Sequence, residues 1–142
     1  TFDDGYLNNC VYLPPLMEKY GMSAIVSPVG QFSDEYAANG DRSVYYAMAT
    51  WDDLKTLAAS AYFELQNHSY HLHAQSPRHG AERCAGESDE AYQSMLTNDL
   101  GAMQDAMETR RASAGVCVPV RRRGQRLRPC TSRAWIPCLA LL

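Results

Sequence analysis

The sequence predicts a parallel α/β fold. Three short apolar runs alternate with three amphipathic helical segments, and long polar loops follow the second and third apolar runs. The 142 residues suffice for one domain but fall short of the roughly 200 that a closed eight-stranded barrel needs. No apolar run approaches the roughly 20 residues of a bilayer crossing, so no transmembrane segment is predicted. The start of the chain also lacks the pattern of a signal peptide.

The first 30 residues predict a strand end, a helix and a second strand. The loop sequence Asp3-Asp4-Gly5 arrives two residues into the chain, so the strand before it is expected to lack its beginning. Asn8 or Asn9 is expected to cap the following helix, and Gly21 is expected to end it. The apolar run 23–29 then predicts a short buried strand.

The next 80 residues predict two helices around a third strand. Residues 31–49, rich in Gly, Ser, Asp and Tyr, are expected to form a long connection with one helical turn. Thr50 is expected to cap a helix whose first turn carries two aspartates. The run 62–66 predicts the third strand, and Ser88 is expected to cap a helix that reaches about Arg110.

Two polar segments at strand ends carry the residues suited to chemistry. Asp3 and Asp4 follow the first strand, and His68, His71 and His73 follow the third. Two imidazoles and one carboxylate are a common ligand set for a catalytic zinc ion. Adjacent carboxylates on an extended backbone point in opposite directions, so one can bind metal while the other handles protons. Taken separately, the aspartates also fit a solvated turn and the histidines a polar loop.

These segments resemble two motifs of one enzyme family. Residues 1–6 look like the first motif of the NodB-type polysaccharide deacetylases, carbohydrate esterase family 4, and residues 68–73 resemble their second motif in its long-spaced form. The resemblance covers residues 1 to about 109. It implies a distorted (β/α) barrel of parallel strands with outer helices, whose C-terminal half is missing here.

The resemblance also implies roles for individual residues. It makes Asp3 the general base, and Ser69 a brace for the second-motif loop through its hydroxyl. Tyr6 and Tyr70 are candidates for stacking against sugar rings, although buried packing explains either tyrosine equally well. The implied ligands of a divalent metal, zinc by preference, are Asp4, His68 and His73.

By this resemblance the protein is a polysaccharide N-deacetylase, a hydrolase of C–N bonds other than peptide bonds. Its substrate would be an N-acetylated glycan such as peptidoglycan or poly-N-acetylglucosamine, outside the cytoplasm or at the cell wall. No protein partner and no nucleic acid are predicted. The alternative is a catalytically inactive remnant that binds metal or glycan.

The last 33 residues differ in kind from the rest. All 16 acidic residues precede Arg110, whereas residues 110–142 contain eight arginines and three of the five cysteines. The family resemblance places a strand reading Phe-Ala-Tyr-Pro-Tyr-Gly where this chain has residues 116–121. A basic tail for nucleic acid or anionic surfaces is the rival interpretation, but the alternating aromatics or recognisable module of a nucleic-acid binder are absent from it.

Reverse translation connects this tail to the missing strand. Read one nucleotide later, codons for residues 118–121 can spell Tyr-Pro-Tyr-Gly if Arg121 uses a CGN codon. The shifted codon at Trp135 is necessarily glycine, at a spacing expected for a later family element. We therefore predict that residues 1–109 are the N-terminal part of a NodB homology domain. Residues 110–142 are predicted to be a poorly ordered tail translated out of frame, with activity impaired as a result.

Overall fold

A computed structural model of the chain describes residues 1–112, with side chains described through Arg110. Residues 113–142, most of the predicted out-of-frame tail, lie outside the described residues. The elements in chain order are β1 (Phe2–Asp4), α1 (Leu7–Tyr20), β2 (Ala24–Pro28), α2 (Gly30–Asn39), α3 (Trp51–Ala58), β3 (Phe63–Leu65) and α4 (Asp89–Ala112).

The strands form one parallel sheet in the order β1-β2-β3, which confirms the parallel α/β prediction. Asp4 at the end of β1 pairs with Pro28, and Val26 in the middle of β2 pairs with Leu65 of β3. Val26 is fully buried, as expected for a central strand covered on both faces. The carboxyl ends of all three strands therefore lie at one edge of the sheet.

Helix α1 ends as predicted but begins differently. Gly21 adopts a left-handed conformation, and its N–H bonds back to Glu18 in the last turn. At the other end Tyr6 occupies the N-cap position without a side-chain hydrogen bond, so the prediction that Asn8 or Asn9 caps the helix was wrong. The N–H of Leu7 is instead bonded to the carbonyl of Ala47, 2.8 Å away.

The predicted long connection after β2 contains a complete helix. Residues 30–39 form α2, where the composition had suggested a single turn. No side chain caps its N-terminus, because the residue at the N-cap position is Val29. Two first-turn N–H groups, of Gly30 and Gln31, are instead bonded to the carbonyls of Ser69 and Tyr70.

Helix α3 carries the capping box that its sequence predicts. The Thr50 hydroxyl accepts from the Asp53 N–H, and the Asp53 carboxylate accepts from the Thr50 N–H. Arg42 makes a two-pronged ion pair with the same carboxylate, at 2.5 and 2.7 Å, and this holds the pKa of Asp53 below its usual value. Leu54 and Leu57 are buried on its inner face.

Helix α4 packs against α3 through its C-terminal half. Met103 is fully buried against Trp51 and Leu54, where a buried side chain of this size contributes about 1.5–3 kcal/mol. Ser88 caps the helix by accepting the N–H of Ala91, as predicted. This packing brings the middle of α4 against the loop that follows β3.

Candidate metal centre

Three predicted ligands meet at the carboxyl edge of the sheet. Asp4 ends β1, whereas His68 and His73 lie in the loop between β3 and α4. One ligand atom from each residue lies within 4.8 Å of the other two. Nε2 of His73 is 2.9 Å and Nε2 of His68 is 3.4 Å from Oδ1 of Asp4.

These separations fit a shared metal ion. Atoms bound at 2.0–2.2 Å to a tetrahedral zinc ion lie about 3.4 Å from one another. Two imidazoles and one carboxylate also leave the fourth position for water or substrate, as catalytic sites require. The side chains of Asp4, His68 and His73 are 25%, 38% and 37% exposed, so solvent reaches the site.

The two strands that lead to the candidate ligands are not neighbours in the sheet. Strand β2 lies between β1 and β3, so their backbones are roughly 10 Å apart. The ligands meet above the end of β2, where Pro28 gives way to Val29 and Gly30. The backbone of the loop after β3 reaches across this gap, because the carbonyls of Ser69 and Tyr70 accept the N–H groups of the first residues of α2.

Unusual backbone conformations mark both sources of ligand. Asp4 with φ 65° and Ser69 with φ 75° are the two non-glycine residues of positive φ in the described part of the chain. Aspartate tolerates this region better than most residues, and such conformations cluster at functional sites. Gly5 continues the turn at φ 78°, where an added Cβ would lie 2.7 Å from Pro28 Cβ.

The second-motif loop, residues 67–73, is held by groups far away in sequence. The Asn67 side chain donates to the carbonyl of Leu100 and accepts the N–H of Ser69. The Asp99 carboxylate accepts the N–H groups of Tyr70 and His71. The sequence analysis missed Asn67 and Asp99, because their partners lie up to 33 positions away.

Two residues of α2 approach the histidines and were also missed. The Phe32 ring meets the His73 ring edge to face at 5.2 Å between centroids. Gln31 Oε1 lies 3.1 Å from Nδ1 of His71, an exposed residue that does not belong to the cluster of three candidate ligands. A helix predicted at Gly30–Asn39 would have placed Gln31 and Phe32 beside the 67–73 loop.

Tyr70 is tied into a partly exposed polar cluster. Its hydroxyl donates to Asp34, which also accepts from Trp51 Nε1 at 2.7 Å and pairs with Arg110 at 3.1 Å. The hydrogen bond to Asp34 raises the pKa of Tyr70. The Tyr70 ring packs so closely on Gly30 that a Cβ there would lie 2.5 Å from it. Substrate stacking by Tyr70 stays a prediction, beside this packing role.

The structure also gives the positions of the other predicted site residues, whose roles stay predictions. Asp3 is exposed at the sheet edge, as its predicted role as a base requires. Tyr6 is 37% exposed and pairs with Met48, and its contact with sugar stays a prediction. The Ser69 hydroxyl is buried and has no hydrogen-bond partner among residues 1–112, so its bracing role also stays a prediction.

Comparison with known proteins identifies deacetylases as relatives of this chain. A family model described as polysaccharide deacetylase matches residues 1–133. Poly-beta-1,6-N-acetyl-D-glucosamine N-deacetylases of Escherichia coli K12 and O157:H7 are each 31% identical over 80 residues. That match covers 51% of this chain and only 12% of the length of those relatives.

Solved structures share the fold. The BpsB deacetylase domain from Bordetella bronchiseptica matches with a TM-score of 0.61 and 23% identity, over 78% of this chain and 50% of that one. A de-N-acetylase from Aggregatibacter actinomycetemcomitans matches with a TM-score of 0.60 and 21% identity, over 77% and 48%. The described elements thus form part of the α/β barrel of such domains. None of the described helices has the length and apolar character to span a membrane.

Proposed function

Because the chain belongs to the polysaccharide deacetylase family, we propose that it hydrolyses N-acetyl groups of an N-acetylated glycan with the help of a divalent metal. The convergence of Asp4, His68 and His73 carries this proposal. Zinc is the proposed metal, because two imidazoles and one carboxylate suit it. The names of the Escherichia coli relatives favour poly-N-acetylglucosamine over peptidoglycan as the substrate class. A site of action outside the cytoplasm stays a prediction of the family resemblance.

Metal binding and proton transfer are assigned to different residues in the proposed reaction. Asp4, His68 and His73 would hold a zinc ion and leave one side of it open to solvent. A bound zinc ion would supply Lewis acidity for the acetyl carbonyl and would lower the pKa of a water molecule. The exposed Asp3 carboxylate accepts a proton from the attacking water. The water oxygen bonds to the acetyl carbon, the C–N bond breaks, and the proton held by Asp3 passes to the leaving nitrogen, so that acetate is released and a free amine remains on the sugar.

Asp3→Asn tests this division of roles. A general base contributes roughly 10²- to 10⁴-fold to the rate, so the variant is expected to lose acetate release by that factor. It should retain its zinc, because Asp3 is outside the cluster of ligand atoms. Zinc content and acetate release from an N-acetylglucosamine oligomer are measured on the same preparation. Unchanged release by Asp3→Asn, or a wild-type chain that binds no zinc, contradicts the proposal.

The alternative function is a metal- or glycan-binding remnant without turnover. The departure from the family pattern at residues 116–121 favours it, since the family's third motif belongs there. Zinc bound at one ion per chain without acetate release by the wild type would support this alternative. The coding DNA tests the underlying frameshift hypothesis. An AGA or AGG codon at Arg121 would contradict it, because the shifted codon before it would then end in A and could no longer encode the second tyrosine of the family's Tyr-Pro-Tyr-Gly.

A further inference from the structure

The Asp99 carboxylate links helix α4 to the loop that carries both histidines. Oδ1 accepts the N–H of Tyr70 and Oδ2 accepts the N–H of His71, each at 2.8 Å. These two amides lie between His68 and His73 in the chain. A single carboxylate on another element therefore holds the centre of the segment whose two ends carry the candidate ligands.

The next residue of α4 makes a second connection to the same loop. The Leu100 carbonyl accepts from the Asn67 side-chain amide at 2.9 Å, and Asn67 Oδ1 accepts the Ser69 N–H at 2.8 Å. Together with the bonds of Asp99, three consecutive loop amides, those of residues 69–71, are held by side chains. The loop is thus fixed on the side that faces α4.

The loop requires such support because part of its backbone is strained. Ser69 adopts a φ of 75°, a strained conformation for a residue other than glycine. Hydrogen bonds from N–H groups to an ionised carboxylate are roughly twice as strong as those between neutral groups. Without them the segment can relax toward ordinary conformations, which would separate the two imidazoles.

We propose that Asp99 is a positioning residue of the metal centre. It does not touch the candidate ion, but it holds the 67–73 loop in the one shape that brings His68 and His73 to Asp4. The inference rests on the proposed function in one respect, namely that these three residues bind zinc. It goes further by assigning metal affinity to a carboxylate on a helix outside both motifs.

The test is zinc affinity of the full 142-residue chain, measured by competition with a chelator. Residues that support metal ligands typically contribute 10- to 100-fold in affinity, and Asp99→Ala is expected to lose that much. Asp99→Asn retains one acceptor oxygen but faces one loop amide with its own N–H₂, so a smaller loss is expected. Asp105→Asn is the matched control, because Asp105 is exposed on the same helix; it should bind zinc as the wild type does.

Unfolding midpoints of the zinc-free variants separate positioning from simple stabilisation. If folded Asp99→Ala and Asp99→Asn bind zinc with wild-type affinity, the inference is overturned, whatever their midpoints. If the wild-type chain itself binds no zinc, the proposed metal centre fails together with the inference. If only the two Asp99 variants lose affinity while circular dichroism shows a retained fold, the inference is supported.

Discussion

The two segments that supply the candidate metal ligands are held in different ways. Asp4 ends a strand, pairs in register with Pro28, and its carbonyl accepts the Val29 N–H. His68 and His73 lie in a loop without strand partners, fixed by the first turn of α2 and by the middle of α4. The carboxylate is thus placed by local sheet geometry, and the imidazoles by distant tertiary contacts.

Because of this difference, substitutions near Asp4 and substitutions near the two histidines should have different effects. A strand-borne ligand keeps its position as long as the sheet forms. A loop-borne ligand loses its position when any of its distant supports is removed, even if the sheet and helices remain. Substitutions near Asp4 should therefore act through the ligand itself, whereas substitutions around the histidines should act through the loop.

The largest expected effect is loss of the ligands themselves. Asp4→Asn keeps a residue that tolerates the left-handed conformation and removes only the charge, so the sheet should form while zinc affinity falls more than the 10- to 100-fold of a supporting residue. His68→Ala and His73→Ala should lose affinity to a similar extent. Chelator competition measures all three variants. Unchanged zinc stoichiometry in any of them would show that its residue was misassigned.

A smaller effect is expected at Gly30, the first residue of α2, where the helix packs closely against the 67–73 loop. The Cβ of Gly30→Ala would lie 2.5 Å from the Tyr70 ring and 2.9 Å from Met103 Sδ, and overpacking of this kind costs about 1–3 kcal/mol. Because Tyr70 belongs to the loop, zinc affinity should fall as well.

The matched control for this substitution is Gly101→Ala on α4, where nothing lies within 4 Å of the added Cβ. It should raise stability by about 0.5–1 kcal/mol, as alanine does inside a helix. Denaturant unfolding and zinc competition are measured for both variants. A stable Gly30→Ala chain with wild-type zinc affinity would contradict the close packing of the loop on α2.

The smallest effect concerns a contact remote from both ligand sources. The Arg42 ion pair and the Thr50 bonds lower the pKa of Asp53 in the folded state. The stability from this carboxylate is therefore present above its unfolded pKa and is lost as the pH falls through the lower folded value. The stability of Asp53→Asn should therefore fall less steeply with decreasing pH than that of the wild type, as unfolding measurements between about pH 5 and pH 2 would show. At neutral pH the variant should bind zinc normally.

An Asp53→Asn chain whose stability retains the full acid dependence of the wild type would show that other carboxylates dominate it. Because the Arg42 side chain is half exposed, the contribution of this ion pair is expected to be modest. Loss of zinc affinity in this variant would also be informative, since it would connect the cap of α3 to the metal centre.

Local patterns were sufficient to predict much of the fold. Thr50 and Ser88 cap their helices, and Gly21 ends α1, because each interaction involves neighbours within a few residues. Helix α2 was missed because it begins without a capping side chain, and its first N–H groups are satisfied by Ser69 and Tyr70 instead. No local pattern reports a partner almost 40 positions away.

The candidate site, like the fold, could be predicted from the sequence only in part. Asp4, His68 and His73 could be identified as ligands by residue type and by position after a strand, and the structure brings them together. That β2 separates the contributing strands depends on the strand order, which spacing alone does not give. The support from Asp99 depends on where α4 crosses the loop, which is decided by the packing of Met103 and Met107.

Strand β1 has only three residues and pairs with β2 alone among the described strands. An ion shared by Asp4 and the two histidines would act as a tether that fastens this short strand to the far side of the sheet. Withdrawal of the ion should then leave residues 1–5 free to fray, and the amide hydrogens of that segment should exchange with solvent well before those of β2.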